Sequence, residues 1–302
     1  MSDTIRGTIF GVLAASIWGG MYVVSDVVLH TIPPFSLLSL RLLIGALILG
    51  VILARRGQIK IARPDLIRLL GVGTVGFGVS LGAQFVGTHL ATAINGAVIT
   101  SASAAFIILF AWLVLREPLT PIRIGAVLLA SVGVLAILDL SHFDLSSNTT
   151  FGNIALIIAA LTWALYSVLV RLVSKDYPTL TISFYAFIGG LIIALPASAL
   201  ELGSQPIGEI TVGVVLGVLY LGVISTALAM LLWNEAFALV EASRAALFFF
   251  AQPLVGVVLA TLLLHQPITI QLIVGGTLVI VGVLVSIRGD SAADKLIRGV
   301  RD

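Results

Sequence analysis

The strongest constraint on the fold is a series of continuous apolar runs, each about 20 residues long, that recurs along the whole 302-residue chain. A helix of that length crosses the roughly 30 Å of hydrocarbon in a bilayer. Only 10% of the residues are charged, against about 25% in soluble domains. The mean hydropathy of +1.19 leaves no room for a sizeable aqueous domain. The chain is therefore predicted to be an all-α integral membrane protein.

Charged residues, prolines and polar clusters divide the apolar runs into ten predicted transmembrane helices. The connections between them are short, and the chain contains no cysteine for disulfide or thiol chemistry. The predicted spans cover residues 5–29, 35–54, 66–88, 93–115, 121–140, 151–173, 180–200, 211–235, 241–264 and 268–288.

The basic residues fix the predicted orientation. Fifteen of the 16 Lys and Arg residues lie before the first span, after the last, or around the connections that follow even-numbered spans. The connections after odd-numbered spans contain no Lys or Arg. Because basic residues stay on the cytoplasmic side, both termini are predicted to be cytoplasmic. The predicted location is the plasma membrane, which is the inner membrane in a bacterium. The remaining basic residue, Arg41, lies inside span two.

The two halves of the chain form an internal sequence repeat. Residues 1–145 and 146–290 each hold five predicted spans, and residues 291–302 form a short cytoplasmic tail. Five is an odd number, so the second half is predicted to enter the membrane in the opposite orientation, around a central cavity. The matching pairs 145 residues apart are Trp18 with Trp163 and Pro33 with Pro178, and those 149 apart are Pro118 with Pro267 and Gly133 with Gly282.

Three stretches of the chain resemble the EamA domains of the drug/metabolite transporter superfamily: LAASIWGGMYVVSDVVLHTIPPFSLLSLRLLIGALIL, LVLREPLTPIRIGAVLLASVGVLAIL and LLWNEAFALVEASRAALFFFAQPLVGVVLATLLLHQPIT. The motif residues are Trp18 and Gly19 in span one, Arg41 in span two, and Arg116 and Glu117 after span four. The chain departs from the pattern at Ala104, His265 and Gln266. The resemblance implies a ten-helix basket with a cavity lined mainly by spans one, three, four, six, eight and nine. It also implies export of amino acids or related metabolites.

Aromatic residues at helical spacing are the first candidates for solute binding. Trp18 and Tyr22 share a face of span one, and Trp163 and Tyr166 share the related face of span six. If these two faces point inward, the aromatic pairs flank the cavity. The rings are then placed to stack on an apolar or aromatic solute, and the indole N–H and hydroxyl groups are hydrogen-bond donors. The alternative is an interfacial aromatic belt near the helix ends.

Amide side chains inside the membrane are the second group of candidates, because a polar group in hydrocarbon is costly unless it faces protein or water. They are Gln84, Asn95, Asn234 and Gln252. Gln252 precedes Pro253, which frees a backbone carbonyl in span nine. The alternative for all four is hydrogen bonding between helices.

The charged candidates are few. Arg41 is interpreted as a structural charge, paired with Asp26 or a backbone carbonyl, or as a gate; the alternative is that it faces the cavity and attracts a solute carboxylate. The carboxylates all fall near span ends, so no proton carrier stands out, and Glu235 is the best candidate for coupling.

These features predict a secondary transporter that exports amino acids, related small metabolites or drugs by alternating access, with the two five-helix halves rocking about a midplane site. The alternatives are a non-transporting membrane interaction protein and a lipid-modifying membrane enzyme, although no enzyme motif is visible. The expected partners are a small-molecule solute and membrane lipids, with no nucleic acid, cofactor or metal. The oligomeric state stays open and is compatible with a monomer.

Overall fold

The computed structural model of the protein describes residues 3–57, 61–116, 121–137, 147–173, 176–239, 251–282 and 285. Every regular element in these ranges is a helix. The predicted tail 291–302 and the predicted span ends at 138–140, 241–250 and 286–288 lie outside the described residues. The helices are α1 Asp3–Leu29, α2 Pro34–Arg55, α3 Arg63–Leu90, α4 Ala93–Leu115, α5 Pro121–Ile137, α6 Asn148–Val173, α7 Thr179–Leu202, α8 in the consecutive segments Val212–Leu219, Tyr220–Leu228 and Ala229–Leu239, α9 Ala251–Leu264 and α10 Ile270–Gly282.

The all-helical membrane fold predicted from the sequence is confirmed. Seven of the described helices, α1 to α4 and α6 to α8, are long and apolar enough to cross a membrane. The described parts of α5 and α9 have 17 and 14 residues, and α10 is also short. The count of ten spans therefore stays a prediction. Large apolar side chains such as Leu47 and Leu200 are exposed on the outside of the bundle, as a lipid environment requires.

Helices α2, α4 and α8 begin close to their predicted boundaries, at residues that favour a helix start. Pro34 stands in the first turn of α2, where a missing backbone N–H costs nothing. Thr92 and Thr211 cap α4 and α8, because each hydroxyl accepts a hydrogen bond from the backbone N–H three residues on. Each cap satisfies a backbone N–H of the first turn that has no acceptor within its own helix.

Two helices contain π-helical segments. In α3 the segment is Thr74–Ser80, and in α8 it is Tyr220–Leu228. A π segment widens the helix, redirects its side chains and is frequent at functional sites. The sequence pattern gave no sign of either segment, since both helices read as ordinary apolar runs.

The two sequence halves are interleaved. Helix α1 packs against α8 and α9, and α2 packs against α7 and α8. Correspondingly, α6 packs against α3 and α4, and α7 packs against α3. Each of these contacts joins a helix of the first half of the chain to a helix of the second half.

Helices α3 and α7 pack backbone against backbone. A Cβ atom on Gly73 would lie 2.2 Å from the carbonyl oxygen of Ala186, and a Cβ on Gly189 would lie 2.2 Å from the carbonyl oxygen of Leu70. Thr74 donates a hydrogen bond to the Gly189 carbonyl at 3.0 Å. Glycine at both positions lets the two backbones touch, as small residues do in membrane helix packing.

A carboxylate from α7 caps the N-terminus of α2. Glu201 Oε2, at the end of α7, accepts hydrogen bonds from the backbone N–H groups of Phe35 and Ser36, both at 3.0 Å. The Ser36 hydroxyl is 3.3 Å from the same oxygen and 2.9 Å from the Ser198 hydroxyl. A negative charge here satisfies orphan amides and complements the helix dipole.

We expect Glu201→Ala to lower the free energy of unfolding by about 1 to 3 kcal/mol, because it leaves the first amides of α2 without an acceptor. Glu201→Gln keeps one acceptor oxygen, so it should lower the free energy of unfolding by less than Glu201→Ala does. The measurement is the thermal unfolding of the purified protein in detergent. Glu209→Gln is the matched control, since Glu209 is exposed in the following loop. Equal melting temperatures for Glu201→Ala and the wild type would contradict the capping role.

Candidate functional site

A cavity lies at the centre of the bundle, where α1, α3, α4, α6, α8 and α9 meet and α2 contributes one side chain. Its volume is about 50 Å³, which is room for a few water molecules and far below the roughly 300 Å³ of a typical ligand pocket. The lining combines aromatic rings, two methionines, hydroxyls, amides and one guanidinium. The residues are Trp18, Met21, Tyr22, Arg41, Phe77, Ser80, Leu81, Gln84, Thr100, Ser103, Ala159, Trp163, Ser225, Thr226, Met230 and Gln252.

The two π segments supply opposite parts of the lining. Phe77 and Ser80 come from the segment in α3, and Ser225 and Thr226 come from the segment in α8. The Ser80 hydroxyl donates to the Ala159 carbonyl of α6 at 2.8 Å. The cavity is thus built around the two places where the membrane helices depart from α geometry.

Trp18 holds α1 against the π segment of α8. Its indole N–H donates to the Ser225 carbonyl at 3.0 Å, and its ring lies 5.1 Å from the Trp233 ring. Only 7% of Trp18 is exposed. The residue therefore lines the cavity and also satisfies a carbonyl of the widened helix.

Tyr22, Thr100 and Gln252 form a hydrogen-bonded group on the α1, α4 and α9 side. The Thr100 hydroxyl donates to the Gly96 carbonyl at 2.6 Å. It must therefore accept from the Tyr22 hydroxyl, with which it makes a short hydrogen bond. Gln252 Nε2 donates to the same Thr100 oxygen at 3.3 Å. Three helices meet at one hydroxyl.

The opposite wall is an aromatic cluster on α3 and α6. The Phe77 ring lies 5.8 Å from that of Trp163 and 5.3 Å from that of Tyr166, both edge to face. Trp163 lines the cavity, and its indole N–H has no acceptor in the part of the chain that the structure describes. Tyr166 is buried behind Phe77, against Gly76, and is not part of the lining.

The other sequence candidates are distributed differently. Gln84 lines the cavity, with Nε2 3.9 Å from the Met21 sulfur. Asn95 instead donates to Asn153 at 2.9 Å, joining α4 to α6 away from the lining. Glu235 lies 3.8 Å from Arg6, and both side chains are about half-exposed. The side chain of Asn234 lies outside the described residues.

Arg41 reaches the cavity from α2 and is 3% exposed. Its Nε donates to the Thr226 hydroxyl at 2.7 Å, and NH1 and NH2 lie 3.2 Å from the Met21 sulfur and 3.4 Å from the Ser225 hydroxyl. The guanidinium carbon is 5.4 Å from the centre of the Phe85 ring. The carboxylate weighed as its structural partner, Asp26, accepts from Gln266 at 3.4 Å instead.

Several lining residues were not singled out from the sequence. Met21, Phe77, Ser225, Thr226 and Met230 line the cavity, but no motif or charge distinguishes them in the sequence. One signal was available for the hydroxyls. Ser80 and Thr226 are 146 residues apart, close to the spacing of the repeat. Among the described residues no cluster of three or more His, Asp or Glu side chains is placed to hold a metal ion.

A bundle of long apolar helices around a buried, partly polar cavity defines a membrane protein of the transporter class. The chain belongs to the EamA-like transporter family, which matches it twice, over residues 5–139 and 150–288.

Full-length relatives carry transporter names. An uncharacterized transporter of Archaeoglobus fulgidus is 25% identical over 273 residues, covering 90% of this chain and 93% of the relative. A probable amino-acid metabolite efflux pump of Salmonella typhimurium is 26% identical over 294 residues, covering 92% and 93%. One crystal structure, 21% identical, covers 93% of this chain and 96% of its own with a TM-score of 0.65. This structural similarity supports the helical fold described above.

Proposed function

We propose that this membrane transporter exports amino acids, or related small metabolites and drugs, from the cytoplasm by alternating access. The observation that carries the proposal is the central cavity, which combines aromatic rings, free amide oxygens and one guanidinium inside an apolar bundle. Such a mixture suits a small amphipathic solute with charged ends and an apolar side chain. The name of the Salmonella typhimurium relative points to the same class of solute.

The proposed architecture is a pair of inverted repeats, residues 1–145 and 146–290, followed by the tail 291–302. Two structural correspondences support it. The π segments begin at Thr74 and Tyr220, 146 residues apart. The non-glycine residues with left-handed backbones, Arg116 at φ 57° and His265 at φ 52°, are 149 residues apart, each directly after the end of a helix. Repeats of opposite orientation are the architecture of many secondary transporters, which alternate access around a site between the repeats.

The proposed motion is a rocking of the two five-helix halves about the central cavity, to which both halves contribute side chains. The small volume of the cavity fits a closed state from which either side opens. Both termini are proposed to face the cytoplasm, in the plasma membrane, as the basic residues predict.

The proposal is tested by counterflow. Purified full-length protein is reconstituted into liposomes loaded with one unlabelled amino acid at a time, and uptake of the same labelled amino acid is measured. We expect transient accumulation above the level of protein-free liposomes for a subset of the amino acids. Failure of all 20 standard amino acids with correctly folded protein would overturn the amino-acid form of the proposal, and the same assay with amphipathic drugs would then decide the drug form.

A further inference from the structure

The feature that carries a further inference is the charge of Arg41. A guanidinium stays protonated in proteins, and this one lies inside the membrane bundle with 3% exposure. The desolvation cost of such a charge is normally offset by an anionic partner. Within the described ranges Arg41 makes no ion pair.

Four carboxylates in the described ranges have other partners. Asp26 accepts from Gln266, and Glu201 caps α2. Asp65 accepts a hydrogen bond from the Tyr177 hydroxyl at 2.7 Å. Glu235 lies 3.8 Å from Arg6, and both side chains are about half-exposed. These groups have their own partners, so they do not neutralise the guanidinium.

Neutral groups hold Arg41 in position without using all of its donors. The guanidinium has five N–H groups, and three contacts are made, to Thr226, Met21 and Ser225. The Met21 sulfur is only a weak acceptor. The Thr226 hydroxyl donates onward to the Leu221 carbonyl at 2.7 Å, which fixes it as the acceptor for Nε. Among the described residues, the other two N–H groups have no acceptor, and Arg41 lines the cavity.

We propose that Arg41 is the subsite for the carboxylate of the transported solute, and that the solute supplies the anion that the described residues lack. This rests on the proposed function and deepens it, because it makes a carboxylate a requirement. Guanidinium and carboxylate pair through two parallel hydrogen bonds. The side-chain oxygens of Gln84 and Gln252 accept no hydrogen bond within the described chain and suit the solute's ammonium group. Phe77 and Trp163 face its side chain.

A structural role and a binding role for Arg41 differ in a measurable way. Replacing a buried charge by an apolar side chain of similar size is often neutral or stabilising when the charge has no strong partner. Arg41→Met should therefore leave the melting temperature without solute unchanged or raise it. If Arg41 served to hold α2 against α8 through Thr226 and Ser225, the same substitution would lower it.

The test measures the melting temperature of the purified full-length protein, at constant chloride, with four probes. Phenylalanine and 3-phenylpropanoate carry a carboxylate, whereas phenylalaninamide and phenethylamine do not. We expect only the first two to raise the melting temperature of the wild type. In Arg41→Met their apparent affinity should fall by about 10- to 100-fold. Arg41→Lys keeps the charge without the fork and should be intermediate.

Arg55→Met is the matched control, because Arg55 lies on the same helix and is exposed; it should keep the wild-type response to all four probes. Stabilisation by phenylalaninamide equal to that by phenylalanine would overturn the carboxylate subsite. So would a wild type that responds to no probe, or Arg41→Met keeping the carboxylate response. If Arg41→Met does not fold, the responses of the wild type and Arg41→Lys to the four probes still test the carboxylate subsite.

Counterflow separates this inference from the proposed function. If the wild type and Arg41→Met exchange phenylalanine at equal rates, export stands and the carboxylate subsite is wrong. If the wild type binds the carboxylate probes but exchanges no amino acid, the subsite stands and amino-acid export is wrong. If export and the subsite are both right, exchange requires both the carboxylate and Arg41.

Discussion

Gly73→Ala is expected to lower the free energy of unfolding by about 3 kcal/mol or more, at the upper end of what overpacking costs. The added Cβ would lie 2.2 Å from the Ala186 carbonyl oxygen and 2.3 Å from its Cα. Both atoms belong to backbone, so no side-chain rotation relieves the clash. Helices α3 and α7 must move apart, which also breaks the hydrogen bond from Thr74 to the Gly189 carbonyl.

The measurement is the melting temperature together with the monodisperse fraction in size-exclusion chromatography. Gly71→Ala is the matched control, two residues away on the same helix, where an added Cβ meets nothing within 4 Å. It should be neutral or slightly stabilising, because alanine has the higher helix propensity. Gly73→Ala with a wild-type melting temperature would show that the two backbones do not touch.

Trp18→Ala is expected to lower the rate of solute exchange by about 100-fold or more. The substitution removes the ring that packs on Trp233 and the donor that satisfies the Ser225 carbonyl in the π segment. Trp18→Phe keeps a ring but removes the indole N–H that donates to that carbonyl. A smaller loss, about tenfold, is expected for it.

Exchange is measured by counterflow at matched amounts of folded protein, so that a loss of stability is not read as a loss of transport. Trp112→Ala is the control, because Trp112 is 45% exposed on α4 and is not part of the lining. It should exchange solute at the wild-type rate. Equal exchange by Trp18→Ala and Trp112→Ala would remove Trp18 from the solute pathway.

Hydropathy and helix punctuation predicted the fold well where both signals were present. Span two was predicted at 35–54, and α2 covers Pro34–Arg55, because prolines and arginines bracket its apolar run. Span three was predicted at 66–88, but α3 extends over Arg63–Leu90. Its first turn carries the charged residues at which the prediction stopped. The π segments were not predicted, because a change in hydrogen-bond register leaves no trace in hydrophobicity.

The residues of the candidate site were harder to predict from the sequence. A side chain lines the cavity only if the rotation of its helix makes it face inward. Gln84 and Asn95 are equivalent by composition, yet one faces the cavity and the other binds Asn153. Trp163 and Tyr166 share a helix face, but three residues of offset place Tyr166 behind Phe77. Periodicity defines a face to within about one residue, and packing against neighbours selects the side chain that reaches the cavity.

The small cavity has a consequence for every affinity that is measured on this protein. A volume of about 50 Å³ does not hold an amino acid, so the proposed mechanism requires that a different, open conformation binds the solute. The apparent dissociation constant is then the intrinsic one divided by the fraction of molecules that are open. Substitutions that raise this open fraction should tighten apparent binding without adding any contact to the solute.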